Sequence, residues 1–180
     1  MATEIRATID DLYQVEGKAE LVNGQIVCDS PTGGLPGFAA YEIFASLREY
    51  AKSTGNGYAI GDNVGFVVDL PNRQSFSPDE AFYIGELTMK FIDGPPVFAV
   101  EVRSESDYGP LAERKMLQKR LDYFAAGTRV VWDVDIKSDD RVRVYRSSDP
   151  NTSTIYHPDE IAEAEPAVPG WSMPVDDLLP

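Results

Sequence analysis

Residues 96–104 (PVFAVEVRS) limit the possible folds more than any other stretch, because this apolar run carries two charges near its end. The run predicts a buried strand in which Phe98 and Val102 face one side of a sheet. Glu101 and Arg103 then face the other side, since side chains alternate along a strand. An ionised carboxylate at the end of an apolar strand is costly unless it is paired or binds a cation. Glu101 therefore requires a partner.

The sequence offers three kinds of partner for Glu101. Upstream, Asp79 supplies a second carboxylate directly before an apolar run; Arg103 lies two residues further along the same strand face; and Lys115 and Lys119 lie on a predicted helix. Two carboxylates on neighbouring strands suit a divalent cation such as Mg²⁺, which takes hard oxygen ligands and keeps several waters. Such an ion polarises a phosphoryl oxygen and acidifies a bound water. The residues alone leave open whether Glu101 binds a metal or pairs with a basic side chain.

The length of 180 residues suits one domain with a sizeable core. We expect a single domain over residues 1–180, with an acidic C-terminal segment from about residue 147. No apolar run approaches the roughly 20 residues that span a bilayer, and the first residues lack the pattern of a secretory signal. One cysteine and one histidine argue against a structural zinc site. We therefore expect a cytoplasmic protein without a membrane span, in which the single cysteine, Cys28, is buried.

The net charge of −14 argues against tight, non-specific binding to DNA, because phosphate contacts usually need a basic surface. The charge is unevenly distributed along the chain. Residues 147–180 contain seven acidic residues and no lysine or arginine, whereas residues 101–120 have a slight positive excess. A local basic patch beside Glu101 is therefore compatible with the acidic composition.

Local patterns predict alternating strands and helices. Asn23 and Gly24 within residues 19–29 are a strong signal for a two-residue hairpin. Apolar spacing predicts a helix over residues 38–53 and another from 109 to about 126. The core face of the second helix is expected at Leu117, Leu121, Phe124 and Ala125. Strands are expected at residues 58–60, 65–70, 79–84, 97–103, 128–134, 141–146 and 154–156. Loops are expected at 30–37, 71–78 and 87–96. This order predicts an α/β fold with helices packed on a mixed sheet.

The pair Pro78-Asp79, followed by Glu101-Val102-Arg103 on a strand, resembles the PD-(D/E)XK nuclease superfamily. More of the chain resembles one bacterial branch, the Uma2 family of putative restriction endonucleases. The segments that carry this second resemblance are residues 20–27, 30–31, 77–79, 101–104, 119–123, 126–127, 131–135 and 168–174. The resemblance implies a restriction-endonuclease-like α/β fold, a mixed β-sheet core flanked by helices, and metal-dependent hydrolysis of DNA phosphodiester bonds.

The resemblance also implies a set of metal ligands. Asp79 and Glu101 would bind Mg²⁺ or Mn²⁺, and the carbonyl of Val102 would add a ligand. Glu20 is a candidate third acid by the same resemblance. Read from its hairpin position alone, Glu20 is a solvent-facing charge on an edge strand.

The basic residue of the motif departs from the superfamily pattern, because Arg103 stands where a lysine is usual. An arginine stays protonated, so we expect Arg103 to contact the phosphate and not to act as a base. The Uma2 pattern usually has its lysine on the following helix, which Lys119 matches, with Lys115 as a substitute. The pattern also commonly has a histidine at the start of the first long helix, where this chain has GFAA at residues 37–40.

Three functions remain open at this stage. The first is a Mg²⁺-dependent endodeoxyribonuclease that acts on DNA, a homodimer by resemblance, with Asp79, Glu101, Lys119, Glu20 and Arg103 as its catalytic set. The second is a catalytically inactive nuclease-fold protein that acts as a binding or regulatory module, in which the carboxylates pair with basic side chains. The third is a partner of a basic protein, whose acidic tail imitates nucleic acid and is released by salt.

Overall fold

The computed structural model of the protein describes residues 6–180. Its helical elements are α1 (Ile9–Leu12), α2 (Gly34–Thr54), α3 (Pro110–Ala126) and a 3-10 helix (Val175–Leu178). None of the helices in the described range is both long and apolar enough to cross a membrane. The two long helices both end at a glycine in the left-handed conformation, Gly55 and Gly127, as glycine permits at a helix C-terminus.

The strands form two large sheets and a small one. The five-stranded sheet has the order β2 (Gln25–Cys28), β1 (Ala19–Val22), β5 (Arg73–Phe76), β4 (Phe66–Leu70) and β7 (Ile92–Asp93). The six-stranded sheet has the order β11 (Asp149–Tyr156), β10 (Val142–Arg146), β9 (Val130–Val134), β8 (Phe98–Val102), β6 (Glu80–Tyr83) and β3 (Tyr58–Ile60). A two-stranded sheet pairs β12 (Ile161–Glu163) with β13 (Ser172–Pro174). Both large sheets are mixed, because β8 pairs with β9 and β4 pairs with β7 in parallel.

The six-stranded sheet is covered on both faces. On one face, Phe98, Val100 and Val102 of β8 pack into a core cluster with α2 and the C-terminal segment. On the other face, Ala99 joins a second cluster that includes Tyr123 of α3 and residues of the five-stranded sheet. The mixed α/β fold with helices on the sheet confirms the fold class predicted from the sequence.

Several local predictions are confirmed. Asn23 and Gly24 both have positive φ and join β1 to β2 as a two-residue hairpin. The alternation along β8 is also as predicted, with Val102 facing one core and Glu101 the opposite side. Helix α2 begins earlier than predicted, at Gly34, so part of the expected loop at 30–37 is helical.

Other local predictions are wrong. The expected loops at 71–78 and 87–96 contain the strands β5 and β7. Cys28 is exposed, because it ends β2 at the edge of the five-stranded sheet. The acidic segment after residue 147 holds three strands and a 3-10 helix, where one strand was expected. Its apolar residues, such as Trp171 and Leu178, belong to the same core cluster as β8 and α2.

Candidate active site

Glu101 lies near the end of β8, on the face that α3 covers. Its Oε1 accepts a hydrogen bond from the Tyr123 hydroxyl at 2.7 Å and lies 2.8 Å from the Lys119 ammonium. Burial raises the pKa of the Glu101 carboxyl, the Lys119 charge opposes that rise, and the charges of Asp79 and Glu20 add to it. Glu101 therefore has the basic partner that an apolar strand requires, and that partner comes from α3.

Lys119 connects two acids that are far apart in the sequence. Its Nζ lies 2.9 Å from Glu20 Oε1 and 2.8 Å from Glu101 Oε1. Burial of the Lys119 ammonium lowers its pKa, but the charges of Glu101 and Glu20 more than offset this and leave the pKa above its ordinary value. Lys119 is therefore a permanent cation in this site. The other candidate on the same helix, Lys115, is exposed.

Glu20 is buried in β1 and is fully engaged, contrary to the alternative that it is a solvent-facing edge charge. Its Oε2 lies 2.6 Å from Arg73 Nη1, and its Oε1 accepts a hydrogen bond from the Ser77 N–H at 2.7 Å. Arg73 in turn donates from Nε to Asp122 at 2.9 Å. Both Glu20 oxygens are thus occupied by protein donors, and its role as a third metal ligand stays a prediction.

Asp79 lies directly before β6 and is held against β8. Its Oδ2 accepts a hydrogen bond of 2.7 Å from the Val102 N–H, and its own N–H donates to the Val100 carbonyl. Its Oδ1 lies 2.6 Å from the Lys18 ammonium, which also contacts Asp62 at 2.7 Å. The backbone of β8 therefore places Asp79 beside the strand that carries Glu101.

The donor set fits Mg²⁺ or Mn²⁺ in part. The side chains of Asp79 and Glu101 are 25% and 24% exposed, so a hydrated cation can reach them. Mg²⁺ commonly uses one or two carboxylates and completes its shell with water and phosphate oxygens. Within residues 6–180, however, no group of three or more His, Cys, Asp or Glu side chains has the arrangement of a metal site. The carboxylates of Asp79 and Glu101 are thus the two side chains that could bind the ion, and the Val102 carbonyl stays a predicted third ligand.

Arg103 is bound on the opposite side of the strand end from Asp79. Its Nε and Nη2 donate to the two Asp133 oxygens at 2.8 and 2.7 Å, and its guanidinium also pairs with Glu113. Arg103 is 8% exposed and Asp133 is 4% exposed. The structure does not pair Arg103 with Glu101, and its predicted contact with a phosphate remains untested.

The sequence reasoning missed three residues of this site. Lys18 and Arg73 supply the cations beside Asp79 and Glu20, and Tyr123 supplies a hydroxyl to Glu101. The one local signal was the position of Tyr123 one turn after Lys119 on the same helix. Lys18 and Arg73 carry no such signal, because Asp79 and Glu20 lie more than fifty positions away from them in the sequence.

The sequence matches the model of the Uma2 family, described as "Putative restriction endonuclease", over residues 8–176. The structure is similar to the crystal structure of a putative nuclease belonging to DUF820 from Anabaena variabilis ATCC 29413, with a TM-score of 0.75 and 19% sequence identity. That similarity covers 95% of this chain and 96% of the other, and at this identity it shows a shared fold. No curated protein matches the sequence.

Proposed function

This chain belongs to the Uma2 family of putative restriction endonucleases, and we propose that it is a metal-dependent endonuclease that hydrolyses DNA phosphodiester bonds. The observation that carries the proposal is the Lys119 ammonium, which lies within 2.9 Å of both Glu20 and Glu101. Sequence periodicity alone would not select this lysine, yet it is the residue that the family resemblance implies. Asp79 is held at the end of β8 that carries Glu101, because its carboxylate accepts a hydrogen bond from the Val102 N–H.

Asp79 and Glu101 are the residues that would hold Mg²⁺ or Mn²⁺. When bound there, the ion would supply charge stabilisation to a phosphoryl oxygen and lower the pKa of a coordinated water. The protein holds Glu101 from one side only, because Lys119 and Tyr123 both contact Oε1 and leave Oε2 outside those two bonds. The side chain is therefore oriented while one oxygen stays available.

Lys119 and Lys18 act as fixed positive charges and do not accept a proton from the attacking water. Lys119 keeps its proton because two carboxylates surround it, and Lys18 has its pKa raised by Asp79 and Glu101 although burial opposes this. A fixed ammonium beside a phosphate stabilises the negative charge that grows as water attacks phosphorus. We assign that role to Lys119, with Lys18 on the Asp79 side of the site.

The test is calorimetric titration of the protein with MnCl₂ and MgCl₂, followed by cleavage of supercoiled plasmid. We expect the wild type to bind about one ion, as two carboxylates and a phosphate subsite suggest. Asp79→Ala and Glu101→Ala should abolish both binding and cleavage. The matched control is Asp69→Asn, which removes an exposed acid elsewhere on the surface. No metal binding at millimolar concentration, together with intact plasmid, would refute the proposal.

A second candidate is a catalytically inactive nuclease fold with a binding role. The observation that favours it is the internal pairing of the acids, since Glu101, Glu20 and Asp79 each contact a lysine or arginine. In this case Asp79→Ala would leave metal affinity and DNA cleavage at the same background level as in the wild type.

We further propose, from the family resemblance alone, that the active form is a homodimer in which each protomer would cut one DNA strand. Light scattering during size-exclusion chromatography would measure its mass directly.

A further inference from the structure

A cavity of about 320 Å³ lies beside Asp79, between helix α2 and the ends of β3 and β6. We call it the α2 cavity, and we define it by Tyr41 and Phe44 on one side and Gly61, Asp79 and Glu80 on the other. Val102 also lines it, so the cavity is continuous with the candidate active site. Its volume falls in the range of small-molecule sites, roughly 300–1,000 Å³, and suits a single planar heterocycle.

Glu80 supplies an unused hydrogen-bond acceptor to this cavity. It is 4% exposed, and its Oε2 is buried without a hydrogen-bond partner in the described part of the chain. A Cβ placed on Gly61 would lie 3.8 Å from this oxygen, so the backbone of Gly61 forms the cavity wall next to the Glu80 carboxyl. Buried carboxyl oxygens normally have a donor, and one without a donor calls for an explanation.

The residues around Glu80 determine which kind of ligand can bind in the cavity. A phosphate is disfavoured, because Asp62, Asp79 and Glu80 all line the cavity. A second metal ion inside the cavity, besides the one proposed at Asp79 and Glu101, is disfavoured as well, because the Lys18 ammonium already lies 2.7 Å from Asp62 and 2.6 Å from Asp79. The wall formed by α2 is apolar and aromatic. An uncharged, flat group with a hydrogen-bond donor therefore fits best.

We propose that the α2 cavity receives an unpaired nucleobase whose exocyclic amino group donates to the Glu80 carboxyl, while the phosphate of that nucleotide lies at Asp79 and Glu101. Adenine, cytosine and guanine carry such an amino group, whereas thymine has a carbonyl at the corresponding place in the major groove. A carboxyl accepts this hydrogen bond whether or not it is ionised. The inference rests on the proposed endonuclease function, because the DNA strand at the active site brings the base to the cavity.

The base must be unpaired, because a stacked base inside a duplex cannot reach a cavity behind the strand end. Tyr41 is 62% exposed at the cavity and offers a face on which such a base can stack. The predicted substrate is therefore DNA with a bulged, mismatched or single-stranded nucleotide next to the cleaved bond.

The test measures binding by fluorescence anisotropy at low salt, with CaCl₂ in place of MgCl₂, so that the two carboxylates keep a divalent cation while cleavage is suppressed. The probes are three duplexes that differ only at one site, with an unpaired cytosine, an unpaired thymine or no unpaired base. We expect the wild type to bind the cytosine duplex about tenfold more tightly than the other two, as one buried hydrogen bond suggests. Glu80→Leu, which replaces the carboxyl by an apolar side chain of similar size, should reduce this preference to about twofold or less.

Two further variants separate stacking from general damage. Tyr41→Ala should weaken binding of the cytosine duplex about tenfold, as the loss of one base–aromatic stack suggests. The matched control is Tyr58→Ala, because Tyr58 is 46% exposed and does not line the cavity. Gly61→Ala narrows the cavity without a clash, since its Cβ would meet Phe44 and Glu80 at 3.7–3.8 Å, and it should also reduce the preference.

Each result has one meaning for each proposal. Equal binding of the cytosine and thymine duplexes by the wild type, or no DNA binding at all, refutes the proposal that the α2 cavity receives a base. A preference that survives Glu80→Leu overturns it as well. If Glu80→Leu removes the preference for cytosine, the proposal for the α2 cavity is supported. If the same protein fails to cleave plasmid with Mg²⁺ and Mn²⁺, only the proposed endonuclease function is refuted.

Discussion

The pair of Arg103 and Asp133 gives a prediction that separates a structural role from the phosphate contact expected from the sequence. Arg103→Met leaves the Asp133 carboxylate 4% exposed and without the two hydrogen bonds of 2.8 and 2.7 Å that it now accepts. Removing one partner of a buried ion pair typically costs about 3–5 kcal/mol of unfolding free energy. The Glu113 contact adds about 0–1 kcal/mol at most, because that side chain is 52% exposed.

The assay is urea unfolding followed by tryptophan fluorescence, since Trp132 and Trp171 both lie in the core. We expect Arg103→Met to lose about 3–5 kcal/mol. The double variant Arg103→Met/Asp133→Leu should recover about 2 kcal/mol or more of that loss, because it leaves no charge buried.

The control is Lys137→Met, which breaks the ion pair of Lys137 with Glu105. The two side chains of that pair are 54% and 86% exposed, so its loss should change the unfolding free energy by less than about 1 kcal/mol. If Arg103→Met unfolds at the wild-type urea concentration but binds DNA more weakly, the structural role is refuted. The guanidinium would then contact the phosphate, as the sequence resemblance implied.

Three further predictions concern charge and backbone conformation. Lys119→Met should abolish plasmid cleavage and lower the unfolding free energy at pH 8 by about 3 kcal/mol, because it leaves Glu20 and Glu101 without the cation that they share. A smaller loss at pH 5 is the check, because burial raises the pKa of Glu101 to about 7 and this carboxyl is neutral at pH 5. Burial, with the charges of two nearby aspartates, raises the pKa of Glu80 to about 9, so its stabilising effect is complete below its unfolded pKa and is lost as the pH rises towards 9. Glu80→Gln should therefore gain stability over the wild type by about 1.4 kcal/mol per pH unit above pH 5 in urea unfolding, and an equal gain at pH 5 and pH 8 would contradict this. Gly57→Ala should lower the melting temperature strongly, because φ is +75° and the new Cβ would lie 2.7 Å from Phe82 and the Tyr83 carbonyl oxygen, whereas Gly55→Ala, at φ +69° in open space, should cost only about 1 kcal/mol.

Features that depend on neighbouring residues were predictable from the sequence. The hairpin at Asn23 and Gly24 needs only two residues with positive φ, and the alternation along β8 needs only its own pleat. The position of Glu101 on the face opposite Val102 followed from that alternation. The place of Asp79 beside this strand followed from the family resemblance, and the structure shows the backbone contact behind it.

The buried face of α3 was predicted only in part: Phe124 packs against the second core cluster, but the two buried residues of the helix, Asp122 and Tyr123, were not among those predicted. Apolar periodicity assumes that a helix buries its apolar side chains, but α3 directs Lys119, Asp122 and Tyr123 towards the interior. Leu117, assigned to the core face, is instead 40% exposed. A charged network offsets the desolvation of these groups through partners on β1, β5 and β8, and those partners are invisible in any short window of sequence.

The separation of Lys119 from Glu20 along the chain has a consequence for the protein during its synthesis. Glu20 on β1 and Glu101 on β8 both precede α3 in the chain, so the cation that they share, Lys119, is absent until the helix is made. Chain segments with distant contacts form those contacts late in folding. A nascent chain or a fragment that stops before α3 should therefore hold no assembled site.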